Sequence, residues 1–501
     1  MRSLYPHEGK KEMPLDFPTE KYPRMFFFPM RVWDKGEEKP VPPYDIIVYK
    51  EGDEVRAENR KGQKIASGRA GSADGEVIQK GINEAAQYSL VYLNGEFNLE
   101  RGIILPSFIS ISGGKLTAKD NANLDYLLKI SGGIKFINIY DITIDGNKSN
   151  GNPNIAGILV EAETPNKASG WSKVALSRII NCNKGIYLKG YSDSIWERVW
   201  HFQISTNWFG GNDGPNDYNI YGNLAHAVVV TGNALEDATT GIYLKQCRGW
   251  AITSNWFDDH TDYGICLDEV SSEYYCFVTI ANNYFTDSGI QNACIFIGYC
   301  SVNNLIINNE FNYVKKYAIH IKGRRNHVLN NIINMAGGDT AIRCEYDGKL
   351  NIISNNFLLA GNTGIYVSSS PTYSLITGNK FDTCSIGIYF RGSHTVIENN
   401  HFFAVTTPMD VVNSEGIVRR NFGYCTENSG TATFSGDGTT TQFSIAHGLV
   451  SEPSKVLVTP MTEDAAGDFY VTKDATNIYV NYLSAPPSGS NNVKLSWYAE
   501  V

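Results

Sequence analysis

SNWFDDHTDYGICLDE, Ser254 to Glu269, holds both halves of a repeat. Its first half is an Asn, one variable residue and an apolar residue: Asn255-Trp256-Phe257. The same triplet recurs at Asn207-Trp-Phe, Asn233-Ala-Leu, Asn283-Tyr-Phe, Asn309-Glu-Phe, Asn331-Ile-Ile, Asn355-Asn-Phe, Asn379-Lys-Phe and Asn400-His-Phe. Successive intervals are 26, 22, 28, 26, 22, 24, 24 and 21 residues. The second half, Gly264-Ile-Cys-Leu, recurs as Gly185-Ile-Tyr-Leu, Gly241-Ile-Tyr-Leu, Ala318-Ile-His-Ile, Gly364-Ile-Tyr-Val and Gly387-Ile-Tyr-Phe.

Short apolar strands, Asn or Gly turns and a period in the low twenties do not suit a repeat of helix pairs. They predict a parallel β-solenoid in which each coil pairs with the next. Stacked Asn side chains then form an amide ladder, and stacked Phe and Ile fill the bore.

Outside the repeat the pattern changes. Residues 1–45 are proline-rich, with an apolar knot at Met25 to Met30, and read as an extended arm. Residues 46–90 read as a hairpin followed by one short helix, DGEVIQKGINEAAQ, with Asp74 as its N-cap. The solenoid is expected over 91–428. Residues 429–501 alternate apolar and polar positions between Gly, Asp and Pro turns, which predicts a small antiparallel β-domain.

At 501 residues the chain exceeds one ordinary core. A net charge of −9 argues against nucleic acid as a partner. Nine scattered cysteines without a CxxC spacing read as buried thiols. The N-terminus shows no apolar signal segment, and no run of 18 apolar residues predicts a membrane span.

The capping helix, the NxF and GIYL coils and the closing segment KVLVTP…LSWYAEV together resemble the pectin-lyase-like right-handed parallel β-helix proteins, and among them phage tailspikes and tail-associated depolymerases. The resemblance implies an all-β right-handed β-helix, a homotrimer, a polysaccharide substrate and a place on a virion tail or outside the cell. The small C-terminal domain is then a trimerisation element.

Alternation places candidate site residues on the outer surface. The third and fifth positions of the GIYL strands include Tyr187, Tyr243, His320, Arg343, Lys189, Lys245, Asp268, Lys322 and Arg391, an aromatic and mostly basic face that suits a glycan groove. The turn after NxF carries Asp237, Asp259 and Asp287 at matching positions, beside the outward rings Trp208, Trp256 and Tyr284. Rings pack on sugar faces and acids move protons, so Asp237, Asp259 and Asp268 are the candidate catalytic pool. His260 stands in the same turn as a candidate orienting group. No cofactor is expected, and a structural Ca²⁺ is the alternative use of stacked acids. His320, Lys322 and Arg343 form a second constellation, similar to the basic set of β-helix polysaccharide lyases. The segment Gly210 to Gly222 reads as a groove-wall excursion. A glycoside hydrolase is the leading expectation; a uronate lyase and a non-catalytic glycan-binding spike are the alternatives.

Overall fold

The computed structural model describes residues 44–501, apart from 165, 166, 168, 193–196, 212, 213, 269–273, 287, 288, 300, 346, 347, 360, 369–372 and 412–415. The arm expected over 1–45 therefore lies outside the described residues except for Tyr44 and Asp45.

The described chain begins with three antiparallel strands, Ile46–Glu51, Glu54–Asn59 and Lys64–Arg69. This is one strand more than the expected hairpin. Ile46–Glu51 also pairs in parallel with Leu90–Asn94, so the meander continues into the solenoid. The helix Asp74–Glu84 follows, burying Val77, Ile78 and Ile82. Asp74 is not its N-cap: Ala73 holds that position, and Asp74 starts the helix fully buried. Its carboxylate accepts from the backbone N–H groups of Gly71 and Asn98, both at 2.8 Å, and pairs with Lys50 at 2.9 Å. The free helix donors are met instead by Glu100, which accepts from the N–H groups of Gly75 and Glu76 at 3.1 Å.

From Leu90 to Arg419 each coil contributes to three parallel sheets. In one coil these are Ala251–Thr253 in the first sheet, Trp256–Asp258 in the second and Tyr263–Leu267 in the third. The second and third sheets each have 13 strands. Pairing is in register, as in Ala234↔Trp256↔Tyr284, so equivalent residues stack about 4.8 Å apart.

The repeated Asn sits at the corner between the first and second sheets. Ten buried asparagines, from Asn207 to Asn421, form a ladder in which each side-chain amide donates to the next amide oxygen; the bond from Asn255 to Asn283 is 3.1 Å. The preceding residue adopts a left-handed backbone, as at Asn282 (φ 55), Asn308 (φ 56) and Asn330 (φ 56). Asn tolerates that conformation best among residues with a Cβ, which explains the Asn-Asn doublets. At one doublet the expected frame is off by one. Asn356, not Asn355, joins the ladder, and Leu358, not Phe357, fills the bore. A second, shorter ladder joins Asn304, Asn326 and Asn351 where the chain enters the first sheet.

Inside, Phe257, Phe285 and Phe311 stack face to face at 4.6 and 4.7 Å. Beyond the last coil, two three-stranded antiparallel sheets enclose a separate core that includes Phe443, Ile478, Val480, Leu495 and Trp497. Among the described residues no helix is long and apolar enough to cross a membrane.

Candidate functional site

Strand alternation builds the outer face of the second sheet. In Trp256-Phe257-Asp258 the bulky centre is buried while its neighbours face out. In-register pairing aligns Arg178, Trp208, Ala234, Trp256 and Tyr284 in one outward column. It aligns Glu236, Asp258 and Thr286 in the next. Trp208 and Trp256 are 44% and 47% exposed.

These indoles are held in place. The Trp208 ring N–H donates to Glu236 at 2.8 Å, and the Arg178 guanidinium lies 4.7 Å over the ring. The Trp256 ring N–H donates to the Thr286 hydroxyl at 3.1 Å, and that hydroxyl donates to Asp258 at 2.5 Å. Sequence reasoning passed over Arg178, Glu236 and Asp258 as part of this face, although alternation from the buried Leu235 and Phe257 would have found both acids.

Asp237 and Asp259 come one residue later, at the turn toward the third sheet. They occupy matching positions on adjacent coils with left-handed backbones (φ 47 and 49), and the Asp237 N–H donates to the Asp258 carbonyl at 3.1 Å. Burial raises the Asp237 carboxyl above its ordinary range, and the neighbouring Asp259 and Asp258 charges raise it further; His260 opposes them. Asp287, expected as the third member, lies outside the described residues. Among the described residues no group of three or more His, Cys, Asp or Glu is arranged to hold a metal ion. His260, the candidate orienting group, is fully buried beneath this turn, 5.9 Å from the Phe257 ring.

Asp268 does not join this pair. It follows the strand Tyr263–Leu267, at the opposite edge of the third sheet from Asp259, roughly 16 Å away by strand rise. The Tyr243 hydroxyl donates to its carboxylate. Burial and that bond push the Tyr243 phenol well above its ordinary range.

The third sheet's outer face is the aromatic stripe expected from the GIYL strands, with one addition. Tyr221 lies between Tyr187 and Tyr243 in register. The segment read as an excursion thus contains a strand, Tyr218–Asn223. Tyr221 meets Tyr187 edge-on at 5.1 Å and stacks on Tyr243 at 4.9 Å; burial pushes its phenol up to about 12. Lys184, half-buried with its pKa lowered by desolvation, sits 5.3 Å over Tyr221. Lys245 is exposed at the strand end.

Farther along, His320 Nε2 lies 3.0 Å from Glu345, which also accepts from Arg343. Burial lowers the His320 pKa, with Glu345 opposing. Lys322 lies 5.3 Å over Phe296, and Arg343 lies 4.6 Å over Tyr366. The face is less basic than its sequence suggests, because Lys189 pairs with Glu161, Arg343 with Glu345 and Arg391 with Asp410.

A family model described as a right handed beta helix region matches residues 263–444. In fold, this chain is a right-handed parallel β-helix. Among solved structures, the β-helix protein is similar to the tailspike gp61 of Pseudomonas phage phi297, at 11% identity over 85% of this chain and 92% of that one, with a TM-score of 0.53. It is also similar to the Dettilon tailspike protein gp208 (12%, 86% and 92%, TM-score 0.45). A third similar structure is the A-module of the Azotobacter vinelandii mannuronan C-5 epimerase AlgE4 (12%, 70% and 97%, TM-score 0.44). At these identities the likeness to the phi297 tailspike bears on the fold alone.

Proposed function

We propose that this β-helix protein is an endo-acting glycoside hydrolase that cleaves a polysaccharide at the edge between its second and third sheets. The carrying observation is the pairing of Asp237 and Asp259 on adjacent coils beside two immobilised, exposed indoles. In-register coils put such carboxylates about 5 Å apart, near the separation of retaining glycosidases. Trp208 and Trp256 pack on the apolar faces of the sugar rings. Glu236 and Asp258 position those indoles.

Asp237, raised by burial and by its acidic neighbours, supplies the proton to the departing glycosidic oxygen. Asp259 attacks the anomeric carbon and forms a glycosyl ester. Water, deprotonated by Asp237, then releases the sugar and restores both carboxyls. In this reading the protein acts as a homotrimeric spike on a phage tail, in keeping with the phi297 tailspike whose fold it shares.

Incubation with a panel of neutral and acidic polysaccharides tests the reading, with reducing ends and ultraviolet absorbance followed together. New reducing ends without an unsaturated chromophore are the expected result. Binding without new ends would leave a non-catalytic spike. One observation favours a second reading, a uronate lyase on the third sheet: His320, its pKa lowered by burial, stands beside Arg343 and Lys322. Products carrying the unsaturated chromophore would select it.

A further inference from the structure

Beyond Asp259, the same turn between the second and third sheets opens into a cleft of about 630 Å³. Its walls are Lys315 and Lys316 on one coil, Gly337 to Asp339 on the next, then Gly361 and Asn362, and last Thr383 and Ser385. These coils follow that of Asp259 by two to five steps, or ~10 to ~24 Å along the axis. A backbone ladder makes the floor: Asp339 N–H to Lys315 carbonyl (3.2 Å), Asn362 to Gly338 (2.9 Å) and Ser385 to Gly361 (3.2 Å). Gly337 takes φ +75, a backbone conformation that L side chains rarely adopt, and the space where a Cβ would sit is open.

The cleft is rich in donors. Among the described lining residues Asp339 is the one carboxylate, 3.6 Å from the Lys316 ammonium, which leaves the Lys315 charge over among them. Asn362 and Ser385 also line it. One surplus positive charge in a chain of net charge −9 marks a place for a single negative charge. At the other end of this column stand Glu236, Asp237, Asp258 and Asp259, which repel an anion.

We infer that the cleft binds the carboxylate of an acidic sugar unit, so that the substrate is a heteropolysaccharide whose cleaved bond joins neutral sugars two or more coils away. This rests on the hydrolase reading for the position of the cleaved bond, but binding at the cleft is measurable without cleavage. In an Asp259→Asn background, binding of xanthan, gellan and colanic acid, which carry uronates beside linkages between neutral sugars, is compared with that of their carboxyl-reduced, neutral forms by titration calorimetry. The expected result is at least a tenfold preference for one intact polymer, weakened by added salt and abolished by Lys315→Ala with Lys316→Ala. In the Asp259-intact chain the double lysine variant raises KM on that polymer about tenfold and leaves kcat within twofold. The inference is overturned if no intact polymer binds more tightly than its reduced form, or if the double variant keeps the preference. If the preference depends on the lysines but no polymer yields new reducing ends, the hydrolase reading falls and the cleft stands as a glycan-binding site.

Discussion

The outer faces of the second and third sheets are both aromatic, yet they present their rings in opposite ways. On the third sheet the rings are spent on one another: Tyr221 stacks on Tyr243 at 4.9 Å and Tyr366 on Tyr389 at 5.1 Å. Arg343 and Arg391 lie over those rings, and Lys189, Arg343 and Arg391 pair with Glu161, Glu345 and Asp410. On the second sheet Ala234 separates Trp208 from Trp256, leaving the indoles two coils apart, ~10 Å. Each indole is pinned through its N–H instead. In the proposed reading, the column with Trp208 and Trp256 serves as the binding platform because these two indoles do not pair with each other.

Both faces hang on one bore, so the largest effect comes from breaking it. Phe285→Ala removes the middle of a three-ring stack and should cost about 3–5 kcal/mol, read as a lower denaturant midpoint. Both faces should fail together. Asn283→Ala cuts the corner ladder and leaves buried backbone partners unmet, for roughly 1–3 kcal/mol. Sharper discrimination comes from the rings themselves. Trp256→Ala should raise KM about tenfold, the upper end of what one ring contact contributes, while Tyr221→Ala should change it less than threefold. The smallest effect concerns charge. Because the Asp237 pKa is raised in the fold, its ionised form opposes folding above that pKa, and the neutral form does not below the ordinary value of 3.8. Asp237→Asn should therefore raise Tm slightly at pH 7 and leave it unchanged near pH 3.

The coil was legible because an Asn buried at a corner has no substitute for its ladder, and Phe285 and Ile265 mark the inward positions on either side. The frame at Asn355 and Asn356 was ambiguous, since either residue of the doublet suits either place. Tyr221 was missed because it lies in a segment rich in Gly and Asn, where strand residues are hard to tell from turn residues. Asp268 looked close to Asp259 in sequence, but a full strand of the third sheet stands between them. Asp74 resembled a cap, yet its burial lets it tie three chain segments together. The outward acids Glu236 and Asp258 were readable from alternation alone, whereas their hydrogen bonds to Trp208 and Thr286 depend on the neighbouring coil.

The most direct measurement is reducing-end release by Asp259→Asn and His320→Ala side by side, each shown to be folded. Cleavage on the second sheet predicts a loss of at least ~100-fold for Asp259→Asn, the lower range for removing an acid-base or nucleophilic group, and less than threefold for His320→Ala. The reverse order would contradict it and place the chemistry on the third sheet.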